Sequence, residues 1–442
     1  MLRFTLVLLL SSFQLSLGSA IHDQQAILSP SSSHSDGSNT NVGVKQHVVD
    51  PAILSALDVH SDPVAALLSL QPELEADLAA RRLLHVSGEK KPEWMTEGDK
   101  LRLRRQGKKF VDITEHEQFY AQQVDTASGK ANLPDLKHQG LVKPLFHRVS
   151  TDRMYDVLKH MTSYYNRYYG GTTGALSATW LHDHIAQIID AAPFGTHISL
   201  EYFTHSFPQS SIIARFEPKV RNFSHPLTIL GAHQDSANYL FPLLPAPGAD
   251  DDCSGTVSIL EAFRVLAESG YVPKDGPVEF HWYAAEEGGL LGSQAIARYK
   301  KESGATIGAM MEFDMTAFIA RNATESIGFI STSADEALTE WLLKLAKAYI
   351  KIPAGIYELF PGAGSDYMSY TQLKYPAGFA SEGNPLAGGG FPGDYDPYVH
   401  GTHDTMDIDD ATGYFSLDHM ARFTELALAF AIEQSGWDNS WR

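Results

Sequence analysis

At 442 residues the chain exceeds one typical domain and can bury a large core. Its 53 acidic residues outnumber 34 basic ones, and the resulting net charge of −19 argues against nucleic acid or an anionic membrane surface as partner.

The N-terminus reads as a signal peptide over residues 1–20: Arg3, an apolar run at 4–10, then the small residues Gly18-Ser19-Ala20. That run is too short to span a bilayer and no later one is long enough, so a secreted, extracellular protein is expected. Residues 30–41 are rich in Ser, Asn and Gly and read as disordered. Apolar residues recur at helical spacing over 51–84, and Lys and Arg crowd the stretch 81–109. A basic leader behind a signal and ahead of an acidic body indicates a removable pro-segment, residues 21–130, ending between Lys109 and Lys130. The competing reading is a basic surface helix of the mature protein. Such a leader would inhibit the body or assist its folding in cis. The body, residues 131–442, is expected to be a monomeric catalytic domain.

The body opens with a predicted helix over 152–168, striped by Met154, Val157, Leu158, Met161 and Tyr165, with Thr151 as N-cap. A second helix is expected over 176–190. Strands at 227–233, 278–285 and 309–314 then alternate with helices at 254–268 and 290–301. A strand at 327–331, a helix at 334–350, a strand at 377–381 and a helix at 417–433 complete the pattern. Apolar runs with little alternation, separated by helices, mean an α/β fold with a mainly parallel central sheet covered on both faces. The Gly/Pro-rich loop 385–397 has no strand-to-helix turn around it, so it reads as a loop near the site mouth and not as a phosphate cradle. Cys253, the only cysteine, cannot form an internal bridge, and its carboxylate neighbours disfavour a thiolate; it reads as a packing residue. Asn222 and Asn322 begin glycosylation sequons, usable on a secretory route.

Open parallel sheets bind ligands beyond the carboxyl ends of their strands. His233 ends one strand, Glu286-Glu287 follow the next and Asp314 ends the third. Asp251 lies in the acidic loop Asp250-Asp251-Asp252 before a helix, and His400 in a late loop. Alone, the acidic triplet is a solvated helix cap and a strand-end histidine is structural; together at one sheet edge they suit a metal centre. Imidazole plus carboxylate without thiolate suits zinc, with manganese or cobalt as alternatives. Two histidines and three carboxylates exceed one tetrahedral ion and suit two Zn2+ sharing a bridging carboxylate. Asp251 is the natural bridge, with His233 and Asp314 on one ion and Glu287 and His400 on the other. Asp235 is placed to fix the tautomer of His233. Glu286 is read as the general base, since Glu287 is spent on the metal.

The motifs Gly231-Ala232-His233-Gln234-Asp235, Ala246-Pro247-Gly248-Ala249-Asp250-Asp251-Asp252 and Ala284-Ala285-Glu286-Glu287-Gly288 carry a family resemblance. Phe313-Asp314-Met315-Thr316 and Val399-His400-Gly401-Thr402-His403-Asp404-Thr405 complete it. From about Pro144 onward the chain resembles the secreted two-zinc leucine aminopeptidases, and Gly107-Lys108-Lys109-Phe110-Val111-Asp112-Ile113-Thr114 resembles part of the fungal members' pro-segment. The resemblance implies release of single N-terminal residues from peptides, leucine and other apolar side chains preferred. It also implies a free α-amine held near the metal-site carboxylates and a cis Asp251–Asp252 peptide. Met315, Phe379 and Tyr395 would line the pocket for the first side chain. One departure stands out. Where the family has a disulfide-bonded Cys-Gly-Tyr-x-Cys loop, this chain reads Phe360-Pro361-Gly362-Ala363-Gly364-Ser365-Asp366, so Gly362 replaces a tyrosine that helps stabilise the oxyanion. A related zinc carboxypeptidase or dipeptidase on the same sheet is the alternative reading. A non-catalytic binding protein would have lost ligands or base, and all six positions are intact. A serine hydrolase is weaker still, because Tyr367 stands where a nucleophile elbow at Ser365 needs glycine.

Overall fold

In the computed structural model, which describes residues 47–117, 130–193, 195–360 and 362–438, the apolar runs become strands of one sheet. The expected signal peptide, the Ser-rich stretch and much of the expected pro-segment boundary lie outside the described residues. An N-terminal segment comes first. It contains α1 (Pro51–Val59), α2 (Pro63–Leu70) and a three-stranded antiparallel sheet of β1 (Arg81–Val86), β2 (Glu93–Thr96) and, after α3 (Glu97–Arg105), β3 (Phe110–Asp112). The helical spacing read over 51–84 therefore holds only in part. Asp50 and Asp62 each cap a helix that starts on proline, which breaks the run in two, and its last residues pair as a strand. Nor is the basic stretch one surface helix: Lys100 is buried, 2.6 Å from Asp112 and 3.1 Å from Glu97.

The body follows with α4 (Thr151–Met161), α5 (Thr172–Asp190), β4 (Ile198–Phe203), β5 (Ser211–Phe216), β6 (Leu227–His233) and α6 (Gly255–Glu268). Then come β7 (Val278–Tyr283), α7 (Leu291–Glu302), β8 (Ile307–Phe313), β9 (Ile327–Ile330) and α8 (Glu336–Tyr349). β10 (Ala354–Tyr357), α9 (Tyr367–Gln372), β11 (Ala377–Glu382) and α10 (Leu417–Ser435) complete it. The eight-stranded order is β10-β9-β11-β8-β6-β7-β5-β4. Its centre, β11-β8-β6-β7, is parallel, and antiparallel pairs join β4 to β5, β5 to β7 and β9 to β11. All seven residues of β6 are buried, as a strand covered on both faces requires. One apolar cluster joins α4, α5, α6, α8 and α10 to one face of the sheet, and another joins α7 and α9 to the opposite face. Among the described residues no helix is long and apolar enough to cross a membrane.

Several elements depart from the sequence reading. The helix expected over 152–168 ends at Met161, and Ser150, not Thr151, caps it. Beyond its end Arg167 turns inward, fully buried, to donate to the carbonyls of Gln234 and Gly248 at 2.8 Å each and to that of Pro247. The edge strand β4, its neighbour β5 and the opposite edge strand β10 were not read from the sequence; β4 alternates only between half-buried and exposed positions, and β10 is four residues long.

The N-terminal segment docks on the body. Ala56, Ala66, Leu67 and Leu101 form a small core with the body's Phe241 and Leu244. Asp112 N–H donates to the carbonyl of Gly289 at 3.1 Å. A cavity of about 370 Å3 at this junction is lined by His116 of the segment and His205 of the body. Burial, helped by Arg298, pushes the His116 imidazole down to about 4, and burial alone does the same to His205. Below pH 6.5 the unfolded chain takes up protons that the fold refuses until about pH 4. Stability is therefore complete above pH 6.5 and lost as the pH falls through that window. Melting temperature is expected to fall between pH 6.5 and 4, and a His116→Gln, His205→Gln chain should show a flatter profile.

Candidate active site

Three strand ends and two loops meet at one rim of the sheet. β6 ends on His233, the turn after β7 carries Glu286 and Glu287, and Asp314 directly follows β8. Asp251 precedes α6, and His400 lies in the loop before α10. Ala285, Met315 and His400 adopt left-handed backbone angles, φ 57°, 58° and 59°, unfavourable for side chains with a Cβ. All three flank or belong to the site, where such strain concentrates.

Asp251 organises the geometry. One of its carboxylate oxygens lies 3.0 Å from His233 Nε2 and the other 2.8 Å from His400 Nε2. Asp314 Oδ1 stands 3.7 Å from the same nitrogen of His233, and Glu287 Oε2 3.7 Å from that of His400. The structure thus gathers the five residues that the sequence singled out as metal ligands. Asp252 also comes within 4.8 Å of His233 and Asp314. Its oxygens are committed to backbone amides, however. Oδ1 accepts from Gly255 at 2.8 Å and Met315 at 3.2 Å, and Oδ2 accepts from His233 at 3.2 Å. Asp252 positions the loop, and Asp251 remains the candidate bridge across a cis peptide.

The donor atoms fit a metal. Glu287 Oε2 and Asp314 Oδ1 are buried without a hydrogen-bond partner, a costly state for polar atoms unless a cation completes them. Imidazole nitrogens and carboxylate oxygens with no thiolate match zinc. Burial would push the Asp251 carboxyl up, but His400 and His233 outweigh it and hold it well below the ordinary range. Burial likewise opposes charge on His233, yet Asp314, Asp235 and Asp251 raise its pKa. The pocket therefore favours a positive charge among its carboxylates.

Asp235 does more than expected. Its Oδ1 stands 3.4 Å from His233 Nδ1, and the carboxylate also accepts the backbone N–H of Glu286 at 3.1 Å and Glu287 at 3.2 Å. It ties the first histidine to the Glu-Glu turn. Glu286 is half-buried beside this cluster. Burial pushes its carboxyl up, reinforced by Glu287, Asp366 and Asp314 and opposed by His233. Asp404 went unassigned in the sequence although its motif was noted. Its two oxygens accept the N–H groups of Asp250 and Asp251 at 2.7 and 3.0 Å, which aims the acidic loop. Arg167 was missed because nothing in its local pattern sets it apart from a helix residue.

Met315, Phe379 and Tyr395 share one buried apolar cluster with Leu359, Ala363 and Tyr367. Gly362 has a physical reason. It sits at φ +83°, and a Cβ there would lie 1.8 Å from Ser87 Oγ of the N-terminal segment, so a tyrosine at this position would collide with the docked segment. Cys253 is buried with its thiol pushed up to about 12 by burial, which agrees with a packing role. Asn222 and Asn322 are exposed.

Residues 211–427 match the model of peptidase family M28. Leucine aminopeptidase 1 of Chaetomium globosum is 39% identical over 352 residues, covering 77% of this chain and 82% of that protein. Leucine aminopeptidase 1 of Coccidioides posadasii is 37% identical over 78% of this chain and 87% of that one. Among solved structures, the LapA aminopeptidase of Legionella pneumophila superposes with a TM-score of 0.69 at 27% identity, covering 82% of this chain and 100% of that one. LapB of the same organism, at 24% identity and TM-score 0.65, shares the fold, with 83% and 97% covered.

Proposed function

The chain belongs to peptidase family M28, and from that premise we infer how its residues divide the labour of a metallo-aminopeptidase. It is a zinc-dependent peptide hydrolase. We propose that it holds two zinc ions and releases N-terminal leucine and other apolar residues from peptides. The observation that carries this is Asp251, whose two oxygens face two different histidines. His233 and Asp314 would hold one ion, Glu287 and His400 the other, with Asp251 shared. Zinc supplies Lewis acidity, polarising the scissile carbonyl and lowering the pKa of water toward about 7.

The chain's own groups do the rest. The Glu286 carboxylate accepts a proton from the attacking water and delivers it to the leaving amine nitrogen, so it ends the cycle unchanged. Asp235 holds Glu286 in place through its backbone N–H. Asp404 and Asp252 fix the acidic loop. Met315, Phe379 and Tyr395 offer an apolar surface for the first side chain. A signal peptide over residues 1–20 and secretion fit this reading, as does an N-terminal segment that is removed from a monomeric body and glycosylation at Asn222 and Asn322.

Thorough chelation is expected to abolish release of p-nitroaniline from Leu-p-nitroanilide, and added zinc to restore it. Acetylating the α-amine of a peptide should also stop its cleavage. Continued cleavage of the acetylated peptide from its carboxyl end would move the assignment to the carboxypeptidase reading.

A further inference from the structure

Away from the metal rim, the N-terminal segment meets the body across a junction that is poorly filled. The cavity of about 370 Å3 there has three walls: segment residues from Arg82 and the turn after β3, the body loop from Phe203 to Phe207 with Tyr169, and α7. A gap of this size forfeits apolar contact, so polar contacts matter more for holding the turn after β3. Arg298 of α7 supplies two. It donates to the carbonyl of Glu115 at 2.8 Å and faces His116 Nδ1 at 3.3 Å. A guanidinium can only donate, so Nδ1 accepts and the buried His116 ring is neutral. Across the cavity, His205 stacks on Phe207 with 4.7 Å between ring centres, and its Nε2 lies 2.8 Å from Ser211 Oγ. That hydroxyl already accepts the N–H of Ala284 at 2.9 Å, so its own proton is the one that goes to the imidazole.

Among the described residues, neither ring has a buried, uncommitted carboxylate to receive it as a cation. Asp112 is committed to Lys100 at 2.6 Å and to the N–H of Thr114 at 2.9 Å. Glu97 holds Arg82 at 2.6 Å and the hydroxyl of Tyr169 at 3.3 Å. Glu115 and Glu302 carry exposed carboxylates that water screens, Glu302 standing 3.7 Å from Arg298. Tyr299 turns its ring to Phe203. A proton at His116 Nδ1 would set two cations face to face and remove an acceptor of Arg298. A proton at His205 Nε2 would leave two protons on the line to Ser211.

We propose that His116 and His205 form an acid-labile latch: their protonation frees the turn after β3 from α7, while the sheet of the body stays folded. Once the turn lifts, the rings meet water and take up protons near the ordinary 6.5, which the docked state refuses until about pH 4. Docking is therefore at full strength above pH 6.5 and weakens as the pH falls, by about 30-fold per histidine at pH 5. The attachment of the segment thus reads the acidity of its surroundings. Neither metal nor turnover enters, so the proposal stands apart from the aminopeptidase reading.

The test is hydrogen–deuterium exchange on the full-length, zinc-loaded chain at about pH 7.5 and about pH 5, corrected for the intrinsic rate at each. Residues 110–117 include the Asp112 N–H bonded to Gly289. Their protection is expected to fall by about 30-fold or more at the lower pH, while that of the central strand 227–233 holds. His116→Gln combined with His205→Gln keeps polar side chains that take no proton, and should show much the same protection over 110–117 at both pH values. A thermal melt matching the parent at the higher pH establishes that this variant is folded. Arg298→Met serves as a second variant: without the guanidinium, the turn should lose protection already at the higher pH and show a smaller further drop. Unchanged protection of the parent turn in acid would overturn the proposal. So would a loss in step with strand 227–233, which is acid unfolding of the whole body. An equal drop in the parent and the double variant would also overturn it, and loss of zinc in acid would take that form, since both chains keep the metal site.

Discussion

Glu286→Gln is expected to lower kcat on Leu-p-nitroanilide by about 10²–10⁴-fold, the range that a positioned proton carrier contributes, with metal content unchanged. The amide keeps the volume and the backbone N–H that Asp235 grips at 3.1 Å, so the turn carrying Glu287 should not move. What it loses is the ability to take a proton from water and return it to nitrogen. Burial and the carboxylates of Glu287, Asp366 and Asp314 push the Glu286 carboxyl up. A base so placed holds the proton long enough to hand it on. The check is paired kinetics and metal analysis by emission spectroscopy. Loss of zinc from the variant would move Glu286 into the ligand set, and retention of full turnover would remove it from the chemistry.

Asp251→Asn is expected to have a larger effect on the metal than any other single change. One carboxylate faces both His233 and His400, so a neutral amide there weakens both groups of donors at once. Even residues that only orient ligands cost roughly 10–100-fold in metal affinity or activity, so a direct bridge should cost at least about 100-fold in both. Asp404→Asn is the informative comparison. It removes the acceptor of the Asp250 and Asp251 N–H groups but no donor to the metal, and should fall within the smaller range. Zinc titration of the chelated protein, followed by calorimetry, measures both. Equal losses in the two variants would mean that Asp251 acts by shaping the loop and not by bridging.

Much of the body was legible from local pattern. The central strand Leu227–His233 reads as a continuous apolar run because both of its faces are covered. Helices α6 and α10 carry periodic apolar faces that end within two residues of their expected limits. Legibility failed where long-range contacts outvoted local preference. The helix expected through Tyr168 stops at Met161, and beyond it Arg167 is drawn to three loop carbonyls, contacts that no local window registers. Leu84 belongs to a strand because it pairs with Glu93 and Asp112, not because of its spacing to its neighbours. Gly362 looked like damage to a family loop. The structure makes it a clearance for Ser87.

By itself the sequence determined the chemical kinds of the site: two imidazoles, several carboxylates and no competing thiolate, each beside the end of an apolar run. These follow from residue identity and from periodicity, which are local properties. Only the tertiary structure decided which oxygen of Asp251 faces which histidine and that Asp252 spends its carboxylate on backbone amides. Those relations depend on how separate elements pack, and contacts between residues so far apart leave no trace in the pattern of either one.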